Sequence, residues 1–175
     1  KLPSDPRGEV PWHQDSGYLD PYCDDALILT VWIPLLDATV ERGCLYVLPG
    51  THQGPILHHQ PNAAGSYLEI PDDRLPERKP VAVPVRKGGA LLFTNRVPHV
   101  SFKNTSDVVR WSMDLRYQSA TLPTNAPISR PPQAQDGQSG AEVPPACYPP
   151  AADFLIRSQM RPQEILTDSA VFHRM

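Results

Sequence analysis

The sequence predicts a mostly-β protein, a sandwich or barrel of antiparallel strands, and three observations carry that expectation. Its 175 residues include 22 prolines, each of which removes a backbone donor and breaks a helix interior. Apolar residues come in short runs bounded by clusters of Pro, Gly, Asn and Asp, the pattern of strands and turns. Successive runs lie close together, so neighbours join by short connections, as antiparallel strands do.

In chain order, a first strand is expected at residues 9–15, around Val10-Pro11-Trp12. An acidic loop with Asp20, Asp24 and Asp25 follows, and the irregular spacing of these aspartates marks a solvated loop more than a cation site. Residues 26–36 read as a long strand, apolar on both alternating faces and therefore expected to be buried on two sides. A further strand spans 43–48 and ends at the turn Pro49-Gly50-Thr51, after which a loop runs to Pro80. Strands are then expected at 81–85, 90–95, 100–102 and 108–118, the last entered through the polar turn Lys103 to Asp107. Residues 122–150 are rich in proline around Gln-Asp-Gly-Gln-Ser-Gly and read as an irregular surface excursion. A short helix is expected within 164–175. One domain over 1–175 accommodates all of this.

Charge and cysteine content exclude several classes. Sixteen Lys plus Arg against nineteen Asp plus Glu give a net charge of −3, and no basic stripe suited to phosphates is present, so nucleic acid is not an expected partner. Cys23, Cys44 and Cys147 are odd in number and lack metal-site spacing, which fits a reduced, cytoplasmic setting. No stretch is long and apolar enough for a membrane span, and no signal peptide opens the sequence.

The triplet His13-Gln14-Asp15 carries the chemistry. On a strand, residues two apart share a face, so an imidazole and a carboxylate would stand side by side. His99, from a distant strand, would complete a facial set of two histidines and one carboxylate, which leaves adjacent coordination positions open and suits non-haem Fe(II). Short His/Asp patterns also arise by chance in a chain with six histidines. A second feature adds weight: Arg110 lies eleven residues beyond His99, where its fork of donors could grip a carboxylate bidentately.

The segments Trp12-His13-Gln14-Asp15, Gly43-Cys44-Leu45-Tyr46-Val47-Leu48-Pro49-Gly50-Thr51-His52 and Lys87-Gly88-Gly89-Ala90-Leu91-Leu92-Phe93, with His99 through Arg110, resemble the phytanoyl-CoA dioxygenase family, in the right order over residues 10–117. Asp153-Phe154-Leu155-Ile156-Arg157-Ser158 resembles that family's C-terminal strand. The resemblance implies a double-stranded β-helix (a jelly-roll, cupin-like barrel). It also implies an Fe(II)- and 2-oxoglutarate-dependent dioxygenase that hydroxylates a C–H bond of a small molecule with O2, releasing succinate and CO2. It places iron ligands on His13, Asp15 and His99, co-substrate contacts on Arg110 and Ser101, and an aromatic wall of the pocket on Trp32. A carboxylate at position 15 implies hydroxylation, since related halogenases carry a small residue there. Family members have a helical segment ahead of the triplet that has no counterpart here, so an N-terminally incomplete core is expected. Orienting Arg110 inward would then turn Trp111, Met113 and Leu115 onto an exposed outer face.

Other readings stay open at this point. A two-histidine, one-carboxylate barrel that uses no 2-oxoglutarate is one, a non-catalytic barrel binding protein is another, and a zinc hydrolase is a third. The remaining histidines have plainer readings: His52 as a turn residue, the His58-His59 pair in a solvated loop, and His173 facing solvent. Asn104-Thr105-Ser106 matches a glycosylation pattern, but its place between strands favours turn chemistry. Arg116 shares a strand face with Arg110, roughly 20 Å further along, too far for both to hold one small anion.

Overall fold

In the computed structural model, most of the described strands open on Val, Ile or Leu. The structure describes residues 1–19, 24–119, 156–157, 160–161, 163 and 165–166. In order, the strands are β1 (Val10–His13), β2 (Ile28–Pro34), β3 (Leu45–Val47), β4 (Gln60–Pro61), β5 (Leu68–Glu69), β6 (Val81–Val83), β7 (Leu91–Thr94), β8 (His99–Ser101), β9 (Ser112–Gln118), β10 (Ile156–Arg157) and β11 (Ile165–Leu166). The described protein is mostly β, as predicted, with only short 3-10 turns besides.

Two larger sheets form, a four-stranded one in the order β1-β8-β3-β6 and a three-stranded one in the order β7-β2-β9. Within them β1 with β8, β3 with both β6 and β8, and β2 with β7 pair antiparallel. The chain divides into two compact units, Lys1–Tyr18 with Leu27–Tyr117, and Leu19–Ala26 with Gln118–Met175. In the second unit β10 pairs antiparallel with β11. Of the residues 164–175 where a helix was expected, the described Ile165–Leu166 form strand, and the others lie outside the described residues. The proline-rich residues 122–150, Cys23, Cys147 and His173 lie outside the described residues.

The core of the first unit is a cluster of Trp32, Ala38, Cys44, Leu45, Phe93 and Val97, with Tyr46, Val47, Ala82, Val85 and Leu91 packed against it. Each fully buried large side chain contributes roughly 1.5–3 kcal/mol. The strand β2 alternates strictly between buried and half-buried residues. The expectation of burial on two sides is thus corrected: Ile28, Thr30, Trp32 and Pro34 face inward, while the intervening Leu29, Val31 and Ile33 form an apolar but partly open outer face.

The loop expected up to Pro80 contains a hairpin, β4 with β5. Its two-residue strands, β4 exposed and β5 half-buried, are too short to carry apolar alternation, so periodicity gave no signal. Turn chemistry holds it instead. The Asn62 Oδ1 accepts from the backbone N–H of Ser66 and Tyr67, and Gly65 takes a positive φ of 67°. Among the described residues no helix is long and apolar enough to cross a membrane.

Candidate metal centre

His13 closes β1 and stands opposite His99 of β8. Between the pairings Val10↔Ser101 and His13↔His99 the register shifts, so β1 contains one extra residue there. Pro11, which has no N–H to lose, falls in this bulge. The bulge matters because regular pairing would set Trp12 opposite His99. With it, the two imidazoles meet at 4.1 Å between ring centroids. Phe93 packs edge-on against His99 and Tyr18 against His13.

Asp15 reaches the same point by another route. The strand expected over 9–15 ends at His13, and Asp15 instead opens a 3-10 turn, Asp15–Tyr18. Ligand atoms of His13, Asp15 and His99 still lie within 4.8 Å of one another, and all three residues are buried.

Each imidazole is committed at Nδ1, His13 to the Pro11 carbonyl at 2.8 Å and His99 to the Val97 carbonyl at 3.0 Å. The carbonyls only accept, so Nδ1 carries the proton and Nε2 keeps its lone pair. Burial, reinforced by the neighbouring His99, pushes the His13 pKa down to about 4, and burial lowers that of His99 too. Both rings are therefore neutral near pH 7, the form that binds metal. For Asp15 burial opposes ionisation, but the carboxyl is held below its usual range, with the Arg116 guanidinium and the Thr30 hydroxyl bonded to its ionised form. Its Oδ1 accepts from Arg116 at 2.7 Å and its Oδ2 from the Thr30 hydroxyl at 2.5 Å.

Arg110 lies just ahead of β9 rather than on it, and is buried. Its guanidinium carbon sits 5.2 Å from the centroid of the Trp32 ring, a cation–π contact. One terminal nitrogen donates to the Ser112 hydroxyl at 2.7 Å, while Nε is buried with no hydrogen-bond partner among the described residues. Ser101 is buried on β8, on the same face as His99. The structure thus unites His13, Asp15 and His99 in one cluster, and Arg110 with Trp32 in a second contact.

Sequence reasoning missed four participants. Arg116 is not a rival to Arg110 but a partner of Asp15, and Thr30 is the second such partner. Gln14 and His59 pack behind the triplet, which corrects the solvated-loop reading of His59. No local pattern flags any of them, except that Thr30 lies on the inward side of β2. His58 is exposed, as the loop reading had it, and His52 lies in a turn as expected, with its side chain exposed. Asn104 is fully buried, with its amide on the Val108 carbonyl and its Oδ1 accepting from Ser106, which is turn chemistry.

A family profile for phytanoyl-CoA dioxygenase (PhyH) matches residues 2–112, more than half of the chain, and the chain belongs to that family. Its relatives include phytanoyl-CoA dioxygenase domain-containing protein 1 of Danio rerio, 35% identical over 109 residues, which are 59% of this chain and 37% of that protein. The peroxisomal phytanoyl-CoA dioxygenase of Rattus norvegicus is 30% identical over 114 residues, 63% of this chain and 33% of that one. Among solved structures, EvdO2 from Micromonospora carbonacea var. aurantiaca, complexed with 2-oxoglutarate, is similar with a TM-score of 0.61 and 36% identity, over 67% of this chain and 48% of that one. The non-haem alpha-ketoglutarate-dependent carbocyclase SnoK from nogalamycin biosynthesis has a TM-score of 0.55 and 31% identity, over 83% of this chain and 54% of that one. The chain spans less than half the length of the curated relatives it matches.

Proposed function

We propose that this chain carries the catalytic core of an Fe(II)- and 2-oxoglutarate-dependent dioxygenase, on a double-stranded β-helix scaffold, which hydroxylates a C–H bond of a small molecule. The observation that carries the reading is the convergence of His13, Asp15 and His99, two neutral imidazoles with free Nε2 atoms and an ionised carboxylate. That donor set fits a divalent ion with open coordination positions. The buried Nε of Arg110 fits a second group, since a guanidinium beside an aromatic wall, with a donor unpaired among the described residues, is suited to an anionic carboxylate. The 2-oxoglutarate named with EvdO2 is a ligand of that chemistry.

In this reading His13, Asp15 and His99 hold the iron. Arg110 and Ser101 hold the far carboxylate of 2-oxoglutarate, and Trp32 walls the pocket beneath Arg110. Thr30 and Arg116 fix the rotation of the Asp15 carboxylate. When bound, the iron, 2-oxoglutarate and O2 together supply the oxidising power, with succinate and CO2 as co-products. The protein side of the task is to position the co-substrate and to keep water from the buried ligands. With Cys44 buried and free, a reducing compartment such as the cytoplasm is our reading.

Anaerobic addition of Fe(II) and then 2-oxoglutarate tests this. A weak visible charge-transfer band that needs both is the expected result. Metal binding without any response to 2-oxoglutarate would overturn the co-substrate assignment.

A further inference from the structure

We propose that Gln14 and His59 are positioning residues that lock the backbone between the two ligands of the triplet, so that the metal centre is formed before an ion arrives. The inference rests on the assignment of His13, Asp15 and His99 as ligands. It concerns what holds them in place.

Gln14 sits between His13 and Asp15, is 1% exposed and uses every polar group it has. Its Nε2 donates to the Arg96 carbonyl at 2.6 Å and the Pro55 carbonyl at 3.1 Å, and its Oε1 accepts from the Leu57 N–H at 2.7 Å. One side chain therefore ties the triplet to two separate segments, the loop around Pro55 and the turn that leads into His99. A carboxylate of the same shape would face two carbonyl oxygens with no proton to offer. On the other flank of Asp15, the Ser16 N–H donates to the Asn95 carbonyl at 3.1 Å and the Asn95 amide donates to the Ser16 hydroxyl at 2.8 Å. Asp15 is thus bracketed: the residue before it is tied to Arg96 and the residue after it to Asn95. Both lie shortly ahead of His99, so the two ligand-bearing segments are joined behind the site.

The backbone N–H of Gln14 falls at the junction where β1 has ended and the 3-10 turn has not begun. His59 accepts that N–H on Nε2 at 3.0 Å. Its Nδ1 lies 2.8 Å from the Leu57 carbonyl, which fixes the proton on Nδ1 and leaves Nε2 as the acceptor. Room for the ring exists only because residue 17 is glycine: a Cβ there would stand 2.4–2.6 Å from three atoms of the imidazole. Gln14, Gly17 and His59 therefore depend on one another, and their common product is the conformation of the peptide between two ligands. Groups that orient ligands in this way typically govern metal affinity.

Co(II) is a suitable probe because its visible bands report ligand geometry, and the test uses the 175-residue chain. The unaltered protein is expected to bind Co(II). His59→Ala is expected to weaken that affinity by about 10- to 100-fold and to alter the bands. His59→Gln, whose Oε1 can accept the same N–H, should retain both affinity and spectrum. If His59→Ala matches the unaltered protein in affinity and bands, or His59→Gln is as impaired as His59→Ala, the positioning role is wrong. Should His59→Ala fail to fold, Gly17→Ala, which keeps the imidazole but displaces it, must show the same weakening, and an unchanged affinity there would equally overturn the role. A protein that takes up no Co(II) at all would instead remove the ligand assignment itself.

Discussion

Each imidazole at the centre is held at one nitrogen by its own backbone and offers the other, so the centre should be intolerant of losing any single ligand. His99→Ala and Asp15→Ala are expected to leave no stoichiometric metal after gel filtration, because two ligands cannot hold a labile divalent ion against water. Metal content of the purified variants checks this. Arg110→Ala should spare metal binding and weaken 2-oxoglutarate by the worth of a charge-assisted bond, roughly 1.5–3 kcal/mol or about 10- to 150-fold. Titration of the charge-transfer band measures it, and a comparable loss in Arg116→Ala with Arg110→Ala unaffected would exchange their roles. The metal-free protein should also lose stability in acid. His13 takes a proton only near pH 4 when folded but near 6.5 when unfolded, so the unfolded chain binds more protons between these values. Stability from this group is complete above about 6.5 and is lost as the pH falls toward 4. Urea midpoints across that range should decline, and less steeply in His13→Gln.

At the level of elements, strand positions were readable where apolar alternation was present, and boundaries moved where side chains captured the backbone. Residues 26–36 contain β2 and residues 90–95 contain β7. The strand expected at 108–118, by contrast, begins at Ser112, because the Asn104 amide and the Ser106 hydroxyl both bond the Val108 carbonyl and hold it in the turn. The turn before β3 has a comparable device. Gly43 has φ +68°, and a Cβ there would stand 2.6 Å from the Phe102 carbonyl oxygen. Since β3 pairs with β8, which carries His99, Gly43→Ala should destabilise the sheet that presents a ligand. The left-handed conformation alone costs about 1–2 kcal/mol, and the backbone clash adds to it. A thermal melt is the check, and an unchanged midpoint would mean that this turn relaxes freely.

For the first unit as a whole, the three-stranded sheet has one committed side. Arg116 on β9 reaches Asp15, so alternation turns Met113, Leu115 and Tyr117 the opposite way, and they are 44%, 39% and 57% exposed. Trp111 at 63% and Leu92 at 57% extend this apolar surface, as the sequence led one to expect once Arg110 was placed inward. Exposed side chains contribute little to folding. Replacing Trp111 and Leu92 together by Gln should therefore shift stability by no more than about 0.5 kcal/mol per site while reducing the binding of a hydrophobic fluorescent dye. A large loss of stability would show that these residues are buried against something in solution.

The sequence by itself determined the β character and the family and singled out His13, Asp15 and His99 as candidate ligands, because residue types at fixed spacing and strand alternation are local properties. It also marked Arg110 as a candidate carboxylate contact, through its offset from His99. Tertiary structure alone decided how the triad closes: a bulge at Pro11 aims His13 at His99, and a 3-10 turn aims Asp15. It alone brought Thr30, Arg116 and His59 to the site from segments distant in sequence, and tied Gln14 to Pro55, Leu57 and Arg96. Hydrogen bonds between such segments depend on register and chain path, and neither is written in the spacing of residues along one strand.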